Sequence, residues 1–174
     1  MIQASVFGKT AAGETVHAFK LRDGANDATI LSLGGIIQSL KIAGNDGNPV
    51  DVVLGYSDVA SYEQNSGYLG ALIGRVGNRI DKGHLVIDGE EYRLFCNDRG
   101  NHLHGGKHGF DKKIWSYVFE GKDGNILALS TVSPDGEENY PGNVRVEVRY
   151  SFVDGELKID YLAMSDKKTA LSLT

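Results

Sequence analysis

The chain has 174 residues, enough for one domain with a hydrophobic core, and its hydrophobic fraction of 41% is typical of a soluble globular protein. A formal net charge of −5 and the lack of a Lys/Arg cluster argue against nucleic acid or an anionic membrane as the partner. No segment approaches the roughly 18 apolar residues of a membrane span, and Met1–Lys9 shows no basic region followed by a long apolar run, as a secretory signal would, so we predict a cytoplasmic protein. A lone cysteine, Cys96, excludes an internal disulfide, and we expect it to be a small buried residue.

Strand patterns dominate the sequence, and only Asp58–Glu63 is predicted to form a short helical turn. Outside one hairpin near the C-terminal end, the predicted strands are Ile2–Phe7, Glu14–Arg22, Ala28–Leu33, Gln38–Ala43, Pro49–Leu54, His84–Ile87, Glu91–Phe95, Ile114–Glu120, Asn125–Val132 and Thr169–Leu173. Asp-Gly pairs recur between these segments and favour hairpin turns, since both residues tolerate positive φ. Many short strands with such turns predict an all-β sandwich or distorted barrel, in a single domain covering residues 1–174.

The clearest hairpin is centred on Asp154-Gly155. Apolar residues alternate with polar ones on both sides of this turn, over residues 144–152 and 157–163. A two-residue loop would give the cross-strand pairs Val153–Glu156, Phe152–Leu157, Tyr150–Ile159, Val148–Tyr161 and Arg149–Asp160. All the apolar members then share one face, and a slip by one residue would turn them to water, so the register is predicted as well.

A segment rich in histidine and glycine, residues 100–115, holds three of the five histidines and the only tryptophan. Such a composition favours a loop whose backbone comes close to a ligand. The spacing of His102, His104 and His108 permits a metal site, but no histidine follows to complete the usual ligand set, so we predict no metal. The alternative is that these are polar loop residues.

A second glycine-rich segment, residues 70–80, ends in Asn78 and Arg79. An amide beside a guanidinium can form several hydrogen bonds to vicinal hydroxyls, as sugar sites do. The segment lacks the Lys-Ser/Thr of a phosphate-binding P-loop. The competing interpretation is that Arg75 and Arg79 form ordinary surface ion pairs.

Taken together, these motifs resemble those of the aldose 1-epimerase (galactose mutarotase) family. The matching segments are Leu33-Gly34-Gly35, Asp51–Tyr56, Ile73–Ile80, Leu103-His104-Gly105-Gly106, Gly109-Phe110-Asp111-Lys112, Ser133–Glu138 and Tyr140-Pro141-Gly142-Asn143. Their order and spacing carry the resemblance. It implies a large antiparallel β-sandwich, the galactose mutarotase-like supersandwich, of which this chain would be the N-terminal portion, incomplete at its C-terminus.

The resemblance also implies a function: acid/base-catalysed interconversion of the α and β anomers of free aldoses such as galactose and glucose, without cofactor or metal. Asn78 and Arg79 match the family's pair that binds sugar hydroxyls. His104 matches a histidine near the reacting centre, and we interpret its role as positioning and polarising the sugar. His102 and His108 fall where the family varies, so we expect them to be bystanders.

The sequence departs from the family in length. Family members continue, after a segment like Thr169–Thr174, with the general-acid histidine and later the general-base glutamate, and neither has a counterpart here. We therefore predict that the isolated chain is poorly active, and that it is a fragment or that a separate chain completes its sheets. The alternatives are a non-catalytic carbohydrate-binding or regulatory module on the same sandwich, an epimerase of phosphorylated sugars and, more remotely, a cupin-like metalloenzyme.

Overall fold

Antiparallel strands are the main regular secondary structure in the computed structural model, which describes residues 1–64 and 67–174. The strands are β1 (Gln3–Lys9), β2 (Thr15–Asp23), β3 (Asn26–Leu31), β4 (Ile37–Ala43), β5 (Pro49–Asp51), β6 (Arg79–Ile80), β7 (His84–Ile87), β8 (Glu90–Arg93), β9 (His102–Leu103), β10 (Ser116–Glu120), β11 (Ile126–Ser133), β12 (Val144–Val153) and β13 (Glu156–Ser165). The α-helix α1 spans Val59–Gln64, where the short helical turn is predicted. Short 3₁₀ turns occupy Asp81–Gly83, Phe110–Lys112 and Glu137–Asn139.

Two larger sheets and two short ribbons organise these strands. One sheet has five strands in the order β1-β2-β3-β4-β5, and the other has four in the order β10-β11-β12-β13. The ribbons pair β6 with β9 and β7 with β8. Alternating side chains on β2 and β12 turn Phe19, Leu21, Val148 and Tyr150 inward, and these are at most 2% exposed within one core cluster. The predicted all-β sandwich is confirmed.

The hairpin of β12 and β13 has the predicted register. Phe152 pairs with Leu157 and Tyr150 with Ile159, while Val153 faces Glu156 across the turn. Asp154 and Gly155 adopt φ values of 54° and 77°, the positive values that a type I′ turn requires. The alternation of apolar and polar residues therefore predicted the strand pairing, and the Asp-Gly pair predicted the turn.

The segment Thr169–Leu173, which we predicted to be a strand, is not one. Ser172 makes only an isolated parallel bridge with Val76, and Thr174 exchanges two backbone hydrogen bonds with Ile73. The residues opposite belong to the glycine-rich segment 70–80, whose irregular backbone does not continue as a ladder. The end of the described chain nevertheless lies against that segment.

Cys96 is exposed, contrary to our expectation of a buried thiol. The strand β8 ends at Arg93, so Cys96 lies in the irregular segment that follows and no strand alternation turns its side chain inward. Among the described residues, no helix has the length and apolar character needed to cross a bilayer.

Candidate sugar site

The ribbon of β6 and β9 brings the three predicted site residues, Asn78, Arg79 and His104, together. Arg79 lies opposite Leu103, so residues from two distant motifs become neighbours. The backbone N–H of Asn78 donates to His104 Nδ1 at 2.9 Å, and the N–H of His104 donates to the Asn78 carbonyl at 3.1 Å. This reciprocal pair fixes the imidazole beside the Asn-Arg pair.

The contact with Asn78 sets the protonation of His104. A backbone N–H can only donate, so Nδ1 is the acceptor and the neutral ring carries its proton on Nε2. Burial lowers the pKa of His104, the positive charge of Arg79 lowers it further, and Asp111 opposes both. The ring of Tyr68 packs against it edge-on at 4.7 Å between centroids. His104 is thus a neutral imidazole whose Nε2–H can donate.

The Arg79 guanidinium is anchored by Asp98 and Asn78 on one side. Its Nε donates to Asp98 Oδ2 at 2.8 Å and its Nη1 donates to Asn78 Oδ1 at 3.4 Å. Hydrogen bonds from Arg79 and Arg99 lower the pKa of Asp98, which keeps its carboxylate charged. Arg79 makes the surface ion pair that the competing interpretation predicts, with Asp98. Its side chain is nevertheless 46% exposed, so its remaining N–H groups are accessible to a ligand.

Close packing explains why glycine follows His104. Gly105 has φ of 86°, and a Cβ at this position would lie 1.7 Å from the carbonyl oxygen of Gly74. Any side chain would force the two segments apart. The same carbonyl accepts the N–H of Phe110 at 3.3 Å. The glycines therefore allow the His104 loop to lie directly on segment 70–80.

Arg75 does not form a surface ion pair, and this part of the competing interpretation is wrong. Its side chain is buried, with 2% of the residue exposed. The guanidinium nitrogens donate to Ser133 Oγ (2.8 Å) and to the carbonyls of Pro141 (2.9 Å), Ser133 (2.9 Å), Pro134 (2.8 Å) and Gly142 (2.8 Å). These acceptors lie about 60 residues away in sequence, in the Ser-Pro and Pro-Gly motifs, so the residues around Arg75 gave no sign of its burial.

His102 is a buried structural residue rather than a polar loop residue. Its Nδ1 faces the Phe95 carbonyl at 2.7 Å and must donate to it, so Nε2 accepts from the Tyr140 hydroxyl at 2.7 Å. Burial lowers the pKa of His102 and raises that of Tyr140. Both ring nitrogens are engaged within the protein, and His102 and His104 do not act as a pair of metal ligands. In residues 1–64 and 67–174, no group of three His, Cys, Asp or Glu side chains is arranged to hold a metal ion.

Three supporting residues were missed as candidates from the sequence, although Glu138 ends the Ser133–Glu138 motif. The side chain of Asn97 accepts the N–H of Leu103 at 2.7 Å and donates to the carbonyls of Leu103 and Gly106 at 2.9 and 3.1 Å. Asp98 anchors Arg79, and Glu138 bonds to the backbone that follows Gly106. Their roles depend on contacts between distant segments, and isolated polar residues in loops show no periodicity that would reveal such contacts.

An open cleft of about 420 Å³ lies elsewhere, partly lined by Tyr92, Asp135, Tyr140 and Lys167. Asp135 accepts from Lys167 Nζ at 3.1 Å and from the Gly142 N–H at 2.5 Å. Asp135 and Lys167 are thus bonded within the protein, whereas Asn78, Arg79 and His104 combine donors with partial exposure. We therefore place the candidate site at the ribbon of β6 and β9 rather than in this cleft.

Comparison with known proteins agrees with these motifs. The sequence profile of the family described as aldose 1-epimerase matches residues 17–174. The chain belongs to the aldose 1-epimerase family. It is 41% identical to the galactose mutarotase of Sus scrofa over 174 residues, which are 99% of this chain and 50% of the relative. The chain thus spans about half the length of the curated relatives it matches.

Solved structures of this family share the fold. A GalM/aldose epimerase homologue from C. elegans superposes with a TM-score of 0.83 at 27% identity, covering 88% of this chain and 47% of that one. The galactose 1-epimerase of Lactobacillus acidophilus gives a TM-score of 0.82 at 25% identity, covering 97% and 50%. The predicted family and its galactose mutarotase-like sandwich are confirmed, and the coverage fits the predicted N-terminal portion.

Proposed function

We propose that this chain supplies the sugar-binding part of an aldose 1-epimerase that interconverts the α and β anomers of free hexoses such as galactose and glucose. The observation that carries the proposal is the reciprocal hydrogen bonding of Asn78 and His104 beside the partly exposed Arg79. The names of the relatives, galactose mutarotase among them, support this substrate class. Neither a metal nor a cofactor is part of the proposal.

Binding would use donors and acceptors suited to a polyhydroxylated ring. The exposed N–H groups of Arg79 donate to sugar hydroxyls, and the Asn78 side chain bonds a neighbouring hydroxyl. His104 donates from Nε2 to a sugar oxygen near the anomeric carbon. Because its pKa is lowered, His104 stays neutral near pH 7, so it polarises and orients the sugar rather than protonating it.

The reaction itself needs a base that removes the anomeric hydroxyl proton and an acid that protonates the ring oxygen. The C–O bond of the ring then breaks, the aldehyde rotates and closure gives the other anomer. We propose that polypeptide equivalent to the remaining half of the relatives supplies both groups. The Ser172 carbonyl accepts the N–H of Gly77 at 2.8 Å, and Gly77 precedes Asn78 in the chain. Polypeptide that docks beside Ser172 and Thr174 would therefore lie close to a sugar bound at Asn78.

We further propose that this polypeptide, whether a continuation or a separate chain, extends the sheet at β13. Within the described part of the chain, β13 pairs only with β12. Its inward-facing Tyr161 is 42% exposed, whereas Val148, its partner on β12, is 1% exposed. An open edge beside a half-covered apolar row is the kind of surface that an added strand covers.

The test combines binding with catalysis. Galactose added to the isolated chain is expected to shift the amide NMR signals of Asn78, Arg79 and His104, while the polarimetric mutarotation rate stays near that of buffer. Adding a polypeptide equivalent to the second half of pig galactose mutarotase is expected to raise the rate. A rate for the isolated chain close to that of a full-length relative would refute the external acid and base, and unshifted site signals would refute the sugar site.

A non-catalytic carbohydrate-binding module is the second candidate. It is favoured by one observation: the site as described offers donors for binding and a neutral imidazole. Under this alternative, the added polypeptide forms a complex and tightens galactose binding, but mutarotation stays at the rate of buffer.

A further inference from the structure

The carboxylate of Glu138 holds the loop that follows His104. Oε2 accepts the N–H of Lys107 at 3.0 Å and Oε1 accepts the N–H of His108 at 2.9 Å, so each oxygen bonds one amide. The approach is close enough that a Cβ on Gly106 would lie 2.1 Å from Oε2. Hydrogen bonds to a charged acceptor are roughly twice as strong as neutral ones, which makes this a firm attachment.

Glu138 is itself fixed on the side away from the loop. Its backbone carbonyl accepts the N–H of Phe95 at 3.3 Å, and the neighbouring Asn139 donates to the Arg93 carbonyl at 2.7 Å. Asn97, two residues beyond Phe95, bonds the carbonyls of Leu103 and Gly106. The loop is therefore attached on both sides of His104, to Asn97 and to Glu138.

We propose that Glu138 is a positioning residue for His104, an inference that rests on the sugar site proposed above. The imidazole bonds to Asn78 only if the loop holds it there, and the Glu138 carboxylate attaches the loop three and four residues beyond His104. Without this attachment, Nδ1 loses its donor from Asn78 and Nε2–H loses its fixed direction. Catalytic and binding groups need placement within about 0.5 Å, so a loosened loop weakens sugar binding without any lost sugar contact.

The test is Glu138→Gln in the full chain. The amide keeps one acceptor oxygen but turns an NH₂ donor toward the second backbone N–H, so one bond is lost. In the wild type, ¹⁵N imidazole shifts should show His104 protonated at Nε2 and titrating below its usual pKa. In Glu138→Gln, we expect mixed tautomers, a titration midpoint closer to the usual value and galactose affinity about tenfold weaker.

Glu91→Gln is the matched control, since Glu91 is an exposed carboxylate on β8 whose side chain contacts His84 and Arg93. It should leave the His104 signals and galactose affinity unchanged. The proposal is overturned if Glu138→Gln lowers stability while the His104 tautomer, its titration and galactose affinity all match the wild type. If Glu138→Gln does not fold, Glu138→Asp, which shortens the reach by one methylene, is judged by the same signals.

The imidazole measurements also separate two kinds of failure. If the wild-type chain does not bind galactose, the proposed function fails, yet the His104 tautomer and titration still show whether Glu138 positions the ring. If galactose binds and Glu138→Gln leaves the ring unaffected, the sugar site stands and the positioning role fails.

Discussion

Arg75 and Arg79 lie four residues apart in one glycine-rich segment, yet only Arg79 is open to solvent. Arg75 is 2% exposed and donates mainly to backbone carbonyls, whereas the Arg79 side chain is 46% exposed and rests on the Asp98 carboxylate. A buried guanidinium whose donors are all directed at the protein contributes to the fold. A guanidinium that is anchored on one side only, like that of Arg79, keeps N–H donors for a ligand.

The electrostatics of Arg75 reflect its burial. Burial lowers the pKa of Arg75, and nearby Glu137 is the largest charge opposing that effect. The Glu137 carboxylate also pairs with Lys113 Nζ at 2.5 Å, so a small charged network surrounds the buried group. Removing one member of such a network leaves the others without partners, which costs far more than breaking an exposed ion pair.

The largest expected effect comes from Arg75→Met. The substitution removes the donor to four carbonyls, three of them in buried hydrogen bonds, and to Ser133, so we expect the free energy of unfolding to fall by about 3–5 kcal/mol. Urea denaturation followed by tryptophan fluorescence measures it, since Trp115 is buried. Arg75→Lys should also be unstable, because three donors on one ammonium cannot replace a planar fork. A loss below about 1 kcal/mol for Arg75→Met would show that the buried cage is not what stabilises this region.

Arg79→Ala should affect galactose binding rather than stability. Its exposed pair with Asp98 is worth about 1 kcal/mol at most, so stability changes little, while galactose affinity should fall about tenfold or more. Arg99→Ala is the matched control, because Arg99 bonds the other oxygen of Asp98 at 3.2 Å and is 82% exposed. Equal losses of affinity in both variants would mean that Asp98, and not the Arg79 donors, matters for binding.

His104 and His108, which lies four residues later in the loop, should likewise differ in their effect on galactose binding. His104→Ala removes the Nε2 donor, and we expect galactose affinity to fall about tenfold in an NMR titration. His108→Ala should leave affinity unchanged, since the contact of His108 with Glu138 is through its backbone N–H. A similar loss in both variants would indicate that the loop as a whole was disturbed.

The sequence predicted those parts of the fold and of the candidate site whose pattern lies within one continuous stretch of residues. The β12–β13 hairpin was predictable because period-2 alternation and one Asp-Gly turn lie within a single stretch. The strands β6 and β9 were missed because two residues carry no periodicity, although the family motifs named Asn78 and His104, which the structure brings into hydrogen-bond contact. The burial of Arg75 and His102 depends on acceptors from distant segments, which no local pattern shows. The single domain and the sugar-binding roles of the three site residues stay predictions.

The smallest expected effect is a pH dependence that extends the comparison to His102 and His104. Burial lowers both pKa values, so the unfolded chain takes up protons near pH 6.5 more readily than the folded one. Their contribution to stability is therefore complete above about pH 6.5 and is lost as pH falls through the folded values, with a slope of at most about 1.4 kcal/mol per pH unit for each histidine. Urea unfolding at several values between pH 7.5 and 5 measures it.

His102→Gln, compared with the wild type across that range, should flatten the slope more than His104→Gln does. The reason is that His102 is fully buried, with a carbonyl at Nδ1 and a hydroxyl at Nε2, whereas His104 is partly exposed. Asp111, whose pKa is raised by burial, acts in the opposite direction at lower pH and sets the lower limit of the useful range. If the two variants flatten the profile equally, then burial does not distinguish the two histidines, and the division between fold-bound and ligand-facing groups would hold for the arginines alone.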